Sequence, residues 1–100
     1  MTKYKIKVSE EFEISLKNIL KHINPNQRLR LAEAIDNLNQ ILLIFPKCYP
    51  VAQLEKYCEI SYRKAFISKQ YIVIYFLKNE YINLVNIFHT AQNWKSKILN

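Results

Sequence analysis

Residues 62–89, from Tyr62 to His89, read YRKAFISKQYIVIYFLKNEYINLVNIFH. Three runs rich in Ile, Val, Tyr and Phe are divided there by Ser68-Lys69-Gln70 and by Lys78-Asn79-Glu80. β-Branched and aromatic side chains fit a pleated, half-buried surface, so each run reads as a strand. Breaks this short read as hairpin turns, and two consecutive hairpins make a three-stranded antiparallel meander. Such a sheet needs one face covered and tolerates water on the other. The chain contains no Gly. A turn that requires positive φ must therefore use Asn, Asp or a strained residue, and Asn79 is the best placed.

The rest of the chain supplies the cover. Lys3-Tyr4-Lys5-Ile6-Lys7-Val8 alternates strictly, which predicts a strand with Tyr4, Ile6 and Val8 on one face and lysines on the other. Ser9 offers an N-cap oxygen, and Glu10 and Glu11 suit the positive end of a helix dipole. Phe12, Leu16, Ile19, Leu20 and Ile23 then form one apolar stripe, predicting an amphipathic helix over Glu10–Ile23. Asn24-Pro25 closes this helix and opens a second, Pro25–Phe45, with Leu31, Ile35, Leu38 and Leu42 as its stripe. Ile41, Ile44 and Phe45 widen that stripe near its end. The pair should form a hairpin over one sheet face, burying Leu16, Leu20, Leu31, Ile35, Leu38 and Ile74.

Pro46 stops the second helix. Lys47–Ile60 has no clean period and reads as a loop, with a short edge strand around Val51–Leu54. A terminal helix is expected from about Gln92. The result is one α+β domain over residues 1–100, ordered βααβββ(α), its antiparallel sheet covered on one face by a two-helix hairpin.

Composition narrows the function classes. Half of the residues are hydrophobic and no run is long enough to cross a bilayer. The first residues, MTKYKIKVSEEF, lack an apolar signal core, so a cytoplasmic protein is expected. Cys48 and Cys58 lack metal-site or redox spacing and read as reduced thiols; no metal and no cofactor is expected. Lys and Arg number 15 against 8 acids, a formal charge of +7. That field attracts nucleic acid or an acidic protein, and charge alone does not choose between them.

An opening alternating strand comes first, then a helical hairpin ending in Phe45-Pro46. Tyr62-Arg63-Lys64 precedes a strand with Tyr71 and Tyr75, and Asn86-Ile87-Phe88-His89 and Gln92-Asn93-Trp94 follow. In that order and spacing the chain resembles the RelE/ParE superfamily, the toxins of bacterial type II toxin–antitoxin pairs. The resemblance implies a compact α+β toxin neutralised by a cognate antitoxin protein. RelE-like members cleave mRNA on the ribosome, whereas ParE-like members inhibit DNA gyrase. Ribosome-dependent mRNA cleavage is the leading expectation. The alternatives are gyrase inhibition without catalysis, or a degenerate member that only binds antitoxin.

The resemblance also assigns residues. Arg63 matches the family's recurrent Arg at the start of the first meander strand, where a fixed guanidinium fork stabilises charge building on a five-coordinate phosphorus. Ala65, on the same strand face, is small enough to leave room above that fork. His89 matches a proton-transfer position, which suits an imidazole titrating near neutrality. His22, at the end of the first helix, reads as a partner of the helix dipole. Lys47, Tyr49, Lys64, Trp94 and Lys95 are the expected substrate contacts, with Tyr49 on a loop free to reach outward and Trp94 placed either to stack on a base or to pin the terminal helix to the sheet. Relatives carry Arg shortly after this His, but here the stretch is Thr90-Ala91-Gln92. No carboxylate matches a catalytic base; Glu55 and Glu59 are the nearest in sequence. Whether the chain is an enzyme is left open at this point.

Overall fold

The structure is a computed structural model that describes residues 3–52 and 60–91. Its elements are β1 (Lys5–Val8), α1 (Glu10–Lys21), α2 (Pro25–Ile44), β2 (Arg63–Ile67), β3 (Tyr71–Lys78) and β4 (Tyr81–His89). The helix expected from Gln92 lies outside the described residues.

Local chemistry starts the helices where the sequence marks them and stops each of them slightly early. Ser9 caps α1, its Oγ accepting from the Phe12 N–H at 3.0 Å, with Glu10, Glu11 and Glu13 in the first turn. The helix ends at Lys21 rather than Ile23. The His22 N–H turns back to the Ile19 carbonyl at 3.1 Å, which tightens the last turn and closes it early. Asn24 and Gln27 form a reciprocal capping box at 2.8 and 3.0 Å, with Pro25 in the first turn. Arg28 then reaches back to the Leu20 carbonyl at 2.8 Å and ties the two helices together.

The meander is antiparallel, with Arg63 opposite Tyr75 and Tyr71 opposite His89. β1 joins β4 in parallel, giving a mixed sheet ordered β1-β4-β3-β2. Parallel neighbours need a long crossover, and both helices and two strands intervene between β1 and β4. At the other edge, Ala52 N–H donates to the Tyr62 carbonyl and Lys64 N–H to the Pro50 carbonyl. The edge pairing expected at Val51 thus begins there; Gln53 and Leu54 lie outside the described residues.

Both turns manage without glycine. Asn79 has φ +57, as expected, but Ser68 and Lys69 also take φ +51 and +60. Neither gains the local side-chain bonding that makes this region easier for Asn.

The helices cover one face. Phe12, Leu31, Leu38 and Leu42 pack there on Ala65, Ile67, Tyr71, Val73, Tyr75, Ile82, Leu84 and Ile87. Leu16, Leu20 and Ile35 touch this core but are only half-buried, because they sit on the flank of their stripes rather than over the sheet. Ile41, Ile44 and Phe45 are exposed at 41, 68 and 64%, so they do not extend the buried stripe. Leu42 points to the sheet, and at about 100° per residue its neighbours turn aside. Ile74 is fully buried but on the opposite face, with Ile72, Phe88, Tyr62 and Val85. Strand alternation puts it there.

A candidate binding face and two separated polar sites

The face of the sheet away from the helices combines aromatic rings with lysines. Alternation along β1 and β2 places Lys5, Lys7 and Lys64 on it. Lys7 Nζ stands 4.0 Å over the Tyr81 ring, a cation–π contact. Tyr62 and Phe76 meet edge-on at 5.7 Å, and Phe66 is 57% exposed. A groove of about 530 Å³ opens between these strands and the start of α1, lined by Lys7, Glu11, Tyr62, Phe76, Asn83 and Val85 among others. One edge of this groove is fixed by a β-bulge in β4. Tyr75 faces Leu84 while Ile74 faces Asn86, leaving Val85 as the extra residue. The Ser9 hydroxyl donates to the Val85 carbonyl at 2.6 Å, and the Asn86 side chain accepts from the Ile87 N–H at 2.9 Å. The groups that the bulge takes out of the ladder are thereby satisfied.

Arg63 lies on the other face. Its side chain shares the helix-covered side with Ala65 and Ile67, and Ala65 is fully buried in the core against which Tyr49 packs, so no open space stands above it. Arg63 Nη1 donates to the Tyr49 carbonyl at 2.7 Å and to the Lys47 carbonyl at 3.3 Å. Beside it, the fully buried Tyr75 hydroxyl donates to the Pro46 carbonyl at 2.8 Å. Burial, and secondarily the neighbouring Cys48, push the Tyr75 phenol up to about 12. Tyr49 does not reach outward: its half-buried ring packs edge-on to Tyr75 at 6.3 Å. Burial first, then Cys48, raises its phenol as well. Arg63, Tyr75 and Tyr49 together hold the loop, which sequence reading missed because none of these contacts has a local spacing.

His89 ends β4 at the opposite end of the sheet. Its ring meets Tyr71 edge-on at 5.6 Å, and its Nδ1 accepts from the Ala91 N–H at 3.1 Å. His22, whose Nδ1–H donates to the Asn18 carbonyl at 2.7 Å, lines the same cleft of about 430 Å³ with Ile19, Ile23 and Ala91. The strand registers set Arg63 and His89 four residues apart along the sheet and two strands across it. Their Cα atoms are therefore separated by about 16 Å. The fold does not bring the two together.

The other expected contacts are dispersed. Lys64 belongs to the open face, and Lys47 is exposed on the loop that Arg63 clamps. Trp94, Lys95, Glu55 and Glu59 lie outside the described residues. Among the described residues no three His, Cys, Asp or Glu side chains are grouped to hold a metal ion. No helix of the described residues is long and apolar enough to cross a membrane.

The family model described as the ParE toxin of type II toxin–antitoxin system, parDE, matches residues 6–94. The chromosomal ParDE toxin–antitoxin system of P. aeruginosa contains a similar chain, with a TM-score of 0.65 and 15% identity over 89% of this chain and 98% of that one. The E. coli DinJ–YafQ complex gives 0.63 at 18% identity, covering 88% and 94%. The archaeal RelE–RelB complex from Pyrococcus horikoshii gives 0.58 at 20% identity, covering 92% and 99%. At these identities the structural likeness speaks for the fold. No curated protein sequence matches the chain.

Proposed function

The chain belongs to the ParE toxin family, within the RelE/ParE superfamily of type II toxins, and from that premise we propose that it arrests growth by gripping DNA gyrase without a catalytic step. The observation that carries this reading is the division of the expected catalytic pair. Phosphodiester cleavage needs charge stabilisation and proton transfer at one phosphorus, within hydrogen-bond reach of both groups. Arg63 and His89 stand about 16 Å apart by strand spacing, and the Arg63 fork is turned onto loop carbonyls. What remains is a surface suited to binding. Lys5, Lys7 and Lys64 share the open sheet face with aromatic side chains, and the groove there is lined by Lys7 together with Glu10 and Glu11, which fits a protein surface carrying charges of both signs.

A cognate antitoxin silences the toxin in this reading. The similar folds were solved from ParDE, DinJ–YafQ and RelE–RelB pairs. The exposed strip Ile41, Ile44 and Phe45 at the end of α2 offers an amphipathic antitoxin segment an apolar seat. Acidic flanks on that segment complement the net charge of +7. Binding should weaken with salt to the extent that rim charges contribute.

Ribosome-dependent mRNA cleavage is the second reading, favoured by one observation: His89 and His22 line a single open cleft. Two imidazoles near one phosphate supply a proton acceptor and a donor. Induced expression with primer extension on cellular mRNAs, beside a gyrase supercoiling assay, separates the two. The gyrase reading expects inhibited supercoiling and intact transcripts. Cleaved transcripts with unaffected supercoiling sink it and promote the ribonuclease.

A further inference from the structure

A second, smaller cavity lies on the helix-covered side, between the start of α2 and the β2–β3 turn. It measures about 140 Å³ and is lined by Gln27, Arg30, Leu31, Ser68, Gln70 and Tyr71. All of these except Leu31 carry a hydrogen-bond donor, and none is a carboxylate. Arg30 is exposed, and nothing among the described residues pairs with its guanidinium. Tyr71 is 7% exposed as a whole, and its hydroxyl, which makes no hydrogen bond among the described residues, is the end that stays accessible.

The neighbouring contacts fix the donors without consuming them. Gln27 Oε1 accepts from the Asn24 N–H at 3.0 Å, which orients the amide and leaves its NH₂ group to donate elsewhere. The Gln27 backbone N–H is already taken by Asn24 Oδ1, so the donor set consists of side chains rather than the helix end. The Gln70 carbonyl accepts from the Thr90 N–H at 2.8 Å, pinning the turn to the strand beyond it. Ser68 and Lys69 are held at positive φ in that turn, and Lys69 adds a second exposed cation beside the cavity.

We propose that this cavity is an anion site that takes one phosphate group of a phosphate ester. The Arg30 fork meets it from the helix, Ser68 and Gln70 from the turn, and the Tyr71 hydroxyl supplies a further donor at the cavity wall. A tetrahedral group with oxygens pointing in several directions fits donors converging from a helix and a turn better than a flat carboxylate does. The cavity is too small to enclose a nucleoside as well, so the rest of the ester stays outside. This site is on a different face from the groove assigned to gyrase, and it stands whether or not that assignment does.

The test is titration of the full 100-residue chain with inorganic phosphate at ionic strength matched with chloride, followed by the backbone amide shifts of Ser68 and Gln70. The expected result is saturable shifts that chloride does not produce. Arg30→Gln should weaken binding about tenfold or more, the range for losing a charge-assisted hydrogen bond. Ser68→Ala should weaken it less, while Lys21→Gln, an exposed charge removed elsewhere, should leave it unchanged. A nucleoside 5′-monophosphate and a dinucleoside with a single internal phosphodiester distinguish the sources. Binding of the diester identifies a nucleic-acid backbone, and binding of the monoester alone identifies a terminal phosphate. Three outcomes overturn the proposal. They are equal binding by Arg30→Gln and wild type, an equal loss in Lys21→Gln, and acetate reproducing the phosphate shifts at the same concentration. The last would make this a seat for a partner's acidic side chain.

Discussion

Replacing Arg63 by Ala distinguishes a structural clamp from a phosphate clamp. A phosphate clamp predicts a normally folded protein that no longer arrests growth. The structure predicts lost stability, because Arg63→Ala removes the 2.7 Å bond to the Tyr49 carbonyl and the longer 3.3 Å bond to the Lys47 carbonyl. The shorter bond is charge-assisted and part-buried, and the longer one is exposed and weaker. Hydrogen bonds to charged groups contribute about 1.5–3 kcal/mol, so the pair together stabilises by about 2 kcal/mol. For a domain of this size that lowers Tm by about 8–15 °C. The loop carrying Lys47 and Tyr49 should loosen with it, reducing the near-ultraviolet circular dichroism of the Tyr49–Tyr75 pair. Arg63→Lys should fall between, since both bonds come from the one nitrogen Nη1 and the shorter lysine side chain does not carry its ammonium as far. Urea denaturation and thermal melts of the purified chains measure the cost. An Arg63→Ala protein that melts within about 1 °C of wild type, a shift too small for even a weak hydrogen bond, yet has lost all toxicity would refute the structural clamp.

Four further substitutions test the energetics of the frame. Tyr75→Phe should cost about 1 kcal/mol at pH 7, by orphaning the Pro46 carbonyl. Because the folded phenol is pushed up to about 12, the stabilisation it brings is complete below the ordinary value near 10 and is lost as pH rises towards 12. Wild type should therefore lose about 2–3 kcal/mol more than Tyr75→Phe across that window; a gap between their urea midpoints that ignores pH would be wrong for this picture. Ser9→Ala removes both the α1 cap and the donor to the Val85 carbonyl at the bulge. It should cost about 1–2 kcal/mol and speed hydrogen exchange at the Phe12 amide, and unchanged exchange would count against the cap. Lys69→Gly should stabilise by about 1 kcal/mol, since Lys69 sits at φ +60, and Asn79→Ala should destabilise by a similar amount. Denaturant midpoints of opposite sign to these would show that the turns are not under the inferred constraint.

Sequence alone determined the elements and the family. Periodicity fixes the helices to within two residues of their ends, because apolar spacing and capping chemistry act locally. Ser9, Asn24 and Pro25 mark starts that the backbone then uses. Alternation equally fixes that Arg63 shares a face with Ala65, and the absence of Gly from the turns points to Asn79 for a positive φ. The order of short motifs also carries the RelE/ParE resemblance, which the match over residues 6–94 shows independently. Register is a different matter. Nothing in the residues 62–89 states how far His89 lies from Arg63, since that distance is set by which residues pair across three strands and by the bulge at Val85. The partners of Arg63 are equally non-local: carbonyls 14 and 16 residues earlier have no side-chain identity to be read. The parallel seat of β1 beside β4 and the half-burial of Leu16, Leu20 and Ile35 also depend on how the layers meet. Local chemistry determined what each segment is, and only packing decided which side chains meet and what the paired residues are free to do.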